Sequence, residues 1–453
     1  MAIVTSKFKR EMIQLLLNDF NDSASNKYYI GIGRSDDWNA TDTAPAVENH
    51  DVEARLFRNS LQSVKKVSDI SFVVPRRNWS SGAKYSAYND KQVGYPTEFP
   101  YYVMNDNNQV YICVQQAKNA EGEALNSTIQ PSGNTSGTTF ITSDDYGWKF
   151  LYSISALDAS KFMAANFIPV KKQFGSGTQA SDAEQLAVQN AAVDGEIIGY
   201  ALDSGGEGYT STPTLTIVGD GTKAKAVAAL NGTSISKVDV QDSASTLCLG
   251  SGYTNAIVTQ SGGSPTKPAK IRPIFASKNG AGSDPRQDLR SSNIMLAVKP
   301  AGTESDDFVV GNDFRQVGLF RNILDSSAGT IFTSATGIAL KQLVFSSGAS
   351  GDDAFTPDKN IIGLSSGIKG IIDKVDGTNV WYHQNDQTGY GNFTHGEAVE
   401  ETDGNGEGTL HGSSSLVLPE VESLTGDLLY IDNRGAVTRA SDQTEDIKIV
   451  IQL

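Results

Sequence analysis

Histidine, cysteine and paired carboxylates are the side chains most able to carry chemistry, and in this chain their spacing points away from it. The four histidines, His50, His383, His395 and His411, form no His-x-x-x-His or Glu-x-x-His pattern that would set two metal ligands on one helix face. His383 and His395 could approach one another, but all four read as exposed loop histidines. The two cysteines, Cys113 and Cys248, are too few for a disulfide framework, lack metal-ligand spacing and have no histidine beside them, so they read as buried or idle thiols. Gly31-Ile-Gly-Arg-Ser-Asp36 follows a strand and begins like a dinucleotide fingerprint, yet Asp36 replaces the third glycine, where a carboxylate opposes a pyrophosphate. Asp403-Gly-Asn-Gly-Glu-Gly408 imitates the start of a calcium loop, but Ser414 stands where a bidentate Glu is required, leaving an acidic turn.

No Walker loop is present. The acidic pairs Asp36-Asp37, Asp144-Asp145 and Asp352-Asp353 are a weaker test, because glycosidase carboxylates can lie far apart in sequence; a depolymerase is therefore a third reading. The expectation is a protein that is not an enzyme, with no catalytic residues, no cofactor and no metal. What remains is a set of bulky or charged residues in polar loops: Trp38, Arg76, Arg77, Trp79 and Trp148. Tryptophan and arginine dominate interface energies because they join large contact area to directed hydrogen bonds, so these residues read as docking or as structural positions.

The elements that must position them are mostly strands. Phe8, Met12, Leu15, Leu16 and Phe20 predict a first helix with one apolar face and Ser6 as N-cap. A strand over Lys27 to Ile32 follows, then a second helical stretch whose buried side is Val52, Leu56, Phe57, Leu61 and Val64. From Asp69 to about Ile154 short strands alternate with turns, including 101–104, 109–114 and 148–154. Short helices are expected at Ser155, with Asp158 three residues on, and at Ser181, whose partner Glu184 completes a capping box; the latter stops near Gly195. Strands at 312–320 and 447–451 complete a main body.

At 453 residues the chain suggests about three domains. The fold class expected is mainly β with minor α: a β-sandwich body with helices in its loops over 1–195, 286–329 and 416–453, interrupted by two Gly/Ser-rich β modules at 196–285 and 330–415. The first module holds a duplication, Gly206-Glu-Gly-Tyr-Thr210 and Gly250-Ser-Gly-Tyr-Thr254, whose two β units could share a core. The duplication and the two β modules motivate a rival reading as a glycan-binding adhesin or receptor-binding tail protein, with Tyr209 and Tyr253 as candidate platforms for a glycan.

Acids outnumber bases 52 to 37, for a net charge of −15, and no basic cluster exceeds a pair. A chain that must displace counterions from phosphates needs a concentrated cationic face, so nucleic acid is not an expected partner. No run of about 18 apolar residues exists, and the N-terminus lacks a charged leader with an apolar stretch and a cleavage site, so neither membrane insertion nor secretion is expected.

Several segments resemble, in order, the baseplate wedge subunit of T-even-type contractile-tailed bacteriophages, the product of gene eight. They are Ala2-Ile-Val-Thr-Ser-Lys-Phe8, Gly33-Arg-Ser with Trp38, Val74-Pro-Arg-Arg-Asn-Trp79, Val110-Tyr-Ile-Cys113 and Asp145-Tyr-Gly-Trp148. Phe314-Arg-Gln-Val with Arg321-Asn322, Tyr430-Ile-Asp-Asn-Arg434 and Asp442-Gln-Thr-Glu-Asp-Ile447 continue the series. The resemblance spans both ends and covers the main body; the two Gly/Ser-rich modules depart from it. It implies a virion protein of the tail baseplate, assembled in the host cytoplasm and without catalytic residues. Its partners would be itself, as a homodimer, other wedge subunits and tail-fibre-linked proteins. It also makes Arg76, Arg77, Trp79, Phe314 and Arg315 family-patterned positions, structural or interfacial.

Overall fold

A computed structural model describes residues 4–452 apart from 23, 47–48, 93, 97, 134, 244–245, 301–307 and 441–442. Ala2, Ile3 and Asp442 of the family-like segments lie outside the described residues. The chain is mainly β with minor α, its strands joined in antiparallel ladders and accompanied by five α-helices among the described residues. No described helix is long and apolar enough to cross a membrane.

Two compact units divide the chain. One holds Met1–Ile13, Ser71–Met295 and Val450–Leu453; the other holds Gln14–Ile70 and Leu296–Ile449. The body expected over 1–195, 286–329 and 416–453 is thus shared between units, each combining part of it with one Gly/Ser-rich module. Strand alternation reports which residues are buried, not which distant strands pair, so the sequence left this open.

In the second unit a five-stranded sheet runs Thr336–Ile338, Leu61–Lys66, Tyr28–Gly33, Asp313–Arg321, Asp427–Thr438. Gly31 and Gly33, the apparent nucleotide fingerprint, are glycine for packing. A Cβ on Gly31 would lie 2.7 Å from Leu61 and 2.9 Å from Phe320, and one on Gly33 2.5 Å from the Ser60 carbonyl. Phe57 of the helix His50–Asn59 stacks on Phe320, centroids 5.8 Å apart. That helix ends earlier than expected: Leu61 and Val64 belong to a strand, and Val52 is exposed. The Gly/Ser-rich module of this unit is a ring of strands, Asn379–His383, Lys369–Asp376, Asn360–Gly363, Ala398–Glu401, Glu407–Leu410 and Lys341–Gly348, closed by pairing of the last with the first. Leu416–Val417 adds to the Lys341–Gly348 strand. Closure removes the free edges of those strands and encloses Leu343, Phe345, Ile361, Ile372, Val380 and Leu410.

In the first unit a four-stranded sheet, Tyr102–Met104, Gln109–Gln115, Gly147–Ser153, Thr139–Ile141, buries Tyr85, Tyr111, Cys113, Tyr146, Trp148 and Phe150. Burial pushes the Cys113 thiol up, which keeps it inert. Ser155 caps the helix Ala156–Phe162 as expected, its Oγ accepting from the Asp158 amide at 2.9 Å. The next helix, Ala180–Asn190, starts earlier than the Ser181 signal: Asp182 accepts from the Gln179 amide at 3.1 Å. The duplication resolves into one ribbon, in which Thr214–Gly219 and Ala256–Ser261, the strands after each copy, pair with one another. Gly206, Gly208, Gly250 and Gly252 all take positive φ, so both copies turn alike. Tyr209 and Tyr253 are 2% and 6% exposed. Both are buried rather than offering a platform, so neither tyrosine serves the adhesin reading as an exposed glycan contact.

Candidate functional site

The site built from most elements is a buried polar knot in the second unit. His383, at the end of Asn379–His383, places Nδ1 2.6 Å from Asp373 Oδ2 on the neighbouring strand Lys369–Asp376. Asp373 Oδ1 accepts from Ser35 Oγ at 3.1 Å and from Gln62 Nε2 at 3.4 Å. Asn312 Nδ2 donates to the Asp373 carbonyl at 3.1 Å and to Asp358 Oδ1 at 3.0 Å. His383 is therefore not the exposed loop histidine expected; it is 4% exposed. Burial alone would lower its pKa, but the Asp373 carboxylate, aided by Asp36 and Asp358, outweighs burial and holds the imidazole above its ordinary value.

Serine, aspartate and histidine in one cluster invite comparison with a nucleophilic triad, and the connectivity argues against it. A triad needs the serine on the base and the carboxylate behind it. Here the carboxylate lies in the middle: Ser35 donates to Asp373, and His383 Nε2, buried, has no partner. The knot instead ties the closed module, through Asp373 and His383, to Ser35 and Gln62 of the five-stranded sheet and its flank.

Beside it a cleft of about 540 Å³ is lined by Arg34, Asp36, Asp37, Trp38, Asp358 and Asp386, among others. Two of its carboxylates are already paired, Asp386 with Arg55 at 3.1 Å and Asp37 with Arg315 at 2.5 Å. Among the described residues no group of three or more His, Cys, Asp or Glu is arranged to hold a metal ion. The calcium-like loop is clasped by Glu401, which accepts from the amides of Thr356 and Gly406.

The nominated residues pin loops and fill cores. Trp38 is half-buried, with Arg34 4.1 Å above its ring and Nε1 donating to the Arg434 carbonyl at 2.8 Å. Arg315, 4% exposed, is the hub of a second knot: Nε donates to Asp42 at 2.8 Å, Nη2 to Asp37 and to Asp313 at 3.2 Å, and Nη1 to the Ser35 carbonyl. Its hydrogen bond holds the Asp42 carboxyl below the usual range. Phe314 beside it is interior.

Arg76, Arg77 and Trp79, all half-buried, run along the strand Tyr102–Met104. The Trp79 amide donates to the Met104 carbonyl at 2.9 Å, and the Met104 amide donates to the Arg77 carbonyl at 2.7 Å. Arg76 Nε reaches Asn78 at 3.0 Å, and Trp79 Nε1 reaches Ser127 Oγ at 3.1 Å. Trp148 is wholly enclosed between Tyr85 and Tyr146.

Ser35, Gln62, Asn312, Asp358 and Asp373 were not visible as a group in the sequence, since they come from separate elements with no shared spacing. Replacing Arg315 by Ala should lower stability by about 2–3 kcal/mol, less than the 3–5 of a wholly buried pair because its carboxylates can rehydrate. Arg315→Lys should recover only part of this, since a point charge cannot bond Asp42, Asp37 and Ser35 together. Urea unfolding of the three proteins checks the order; equal stability of Arg315→Ala and wild type would refute the pin.

No family model matches the chain, and no curated protein matches it.

Proposed function

We propose that the chain is a structural subunit of the baseplate wedge of a contractile phage tail, acting by homodimerisation and by docking to other wedge proteins. The ordered series of family-like segments from Ala2 to Ile447 carries this reading. Two features support it. Arginine and tryptophan at those segments hold loops against sheets, as Arg315 and Trp38 do, which suits a subunit that must keep its shape under load. The Ser35, Asp373 and His383 cluster is wired as a tie rather than as a nucleophile.

A homodimer is an isologous pair, with one patch of surface meeting itself across a two-fold, and a stable one buries about 1,000 Å² or more in total. Sedimentation equilibrium of the full chain at micromolar concentration should give twice 48.3 kDa. Immunogold labelling of particles carrying the protein should mark the baseplate end of a contractile tail. A strict monomer defeats the homodimer, and label elsewhere on the particle defeats the wedge.

A further inference from the structure

The first helix covers only part of the side its pattern predicts: Leu16 and Phe20 are half-buried, while Phe8, Met12 and Leu15 are exposed. Over Ser6–Asn21 only Ile13 is fully buried, and Thr5 rather than Ser6 caps the helix, its Oγ1 accepting from the Phe8 amide at 3.2 Å. Phe8 is 57% exposed, Met12 43% and Leu15 61%, and Val4, just before the helix, is 61% exposed. Spacings of four and three residues bring Phe8, Met12 and Leu15 onto one face of the helix, and Val4 extends that row just ahead of its first turn. Isolated exposed apolar residues are ordinary on a protein surface, whereas a row of four large ones at helical spacing is the anchor pattern of a helix seated against another surface.

We propose that this row is the seam of the homodimer, with the same helix of a second copy lying antiparallel across it. The proposal rests on the homodimer reading above and names its surface. The evidence for a second copy, rather than another occupant, is that the row and its flanking charges come within one residue of matching themselves end for end. About a two-fold near residues 9 and 10, Val4 lies opposite Leu15 of the second copy, while Phe8 and Met12, and likewise Lys7 and Glu11, come within one residue of directly opposing each other.

Lys7 and Glu11 are both exposed and border the row, so each crossing also joins opposite charges, twice by symmetry. A groove on an unrelated protein would need the four apolar anchors but not their charge-matched, end-for-end arrangement. Eight large apolar side chains with the flanking charged stems supply contact area on the order of the 1,000 Å² that a specific interface needs.

The test is sedimentation equilibrium of the full chain and its variants, with circular dichroism and melting as folding controls. Wild type is expected to be dimeric at micromolar concentration. Phe8→Glu with Leu15→Glu should raise the dissociation constant at least 100-fold with unchanged melting, since both positions are exposed. Lys7→Glu alone should weaken the dimer about 10-fold by setting Glu against Glu. Adding Glu11→Lys should restore it, a rescue that also reads the interface should the double carboxylate variant fail to fold.

A monomeric wild type overturns the homodimer reading, and this seam with it. A dimeric wild type that stays dimeric as Phe8→Glu/Leu15→Glu overturns the seam and leaves the reading standing. Failure of the charge exchange to rescue overturns the antiparallel register.

Discussion

Replacing Asp373 by Asn should remove about 3–5 kcal/mol of stability at pH 6, because it leaves a buried imidazolium without its counter-charge. Both side chains are almost wholly enclosed, 0% exposed for Asp373 and 2% for His383, so water cannot take the carboxylate's place. The pair also makes a pH prediction. In the unfolded chain the imidazole titrates near its ordinary 6.5, while in the folded chain it holds its proton to higher pH. The folded state therefore binds more protons between those two values, and stability falls as pH rises through them.

The pair's contribution is complete below about pH 6.5 and is lost as pH climbs through the folded-state value of His383. Unfolding midpoints should decline across that window in wild type and stay flat in His383→Gln. The Asp373→Asn penalty should shrink as pH rises past the folded-state value of His383, where the imidazole no longer needs a counter-ion. A penalty that grows with pH, or a wild type as steady as His383→Gln, would refute the charged pair.

That knot also shows where sequence reading runs out. The strands at 28–33, 102–104, 109–115, 147–153, 313–321 and 447–452 were legible because turn residues bound short runs of β-branched and aromatic side chains. Leu61 and Val64 were misread as helix because four successive residues of Leu61–Lys66 are buried, which erases the alternation that marks a strand. In the first helix the period was right, but only Leu16 and Phe20 of the expected face are partly covered: an apolar row announces a buried face but cannot say whether its cover belongs to the same chain. His383 was invisible for another reason. Its neighbours Ser35, Gln62, Asn312 and Asp373 are separated by tens to hundreds of residues, and only the strand pairing of the folded chain brings them within hydrogen-bond reach.

Trp148 distinguishes a docking residue from a core one. It is fully buried on the strand Gly147–Ser153, its ring stacked on Tyr146 at 5.8 Å and 25°, and edge-on to Tyr85 at 5.5 Å and 68°. Trp148→Ala should cost about 3–5 kcal/mol, combining lost transfer free energy with a cavity that the surrounding tyrosines cannot collapse into. Both are held: Tyr146 donates its hydroxyl to the Leu125 carbonyl at 2.7 Å, and the Tyr85 hydroxyl accepts from the Ser80 amide at 2.7 Å.

Trp148→Phe should behave differently. The indole Nε1 is buried with no acceptor, and an unmet donor costs about 1–3 kcal/mol, so phenylalanine removes a penalty while it leaves a smaller void. The expected order in urea is wild type close to Trp148→Phe, with Trp148→Ala far below both, and with the dimer dissociation constant of folded Trp148→Phe unchanged. A Trp148→Phe variant that keeps its stability but loses its dimer would return Trp148 to the interface.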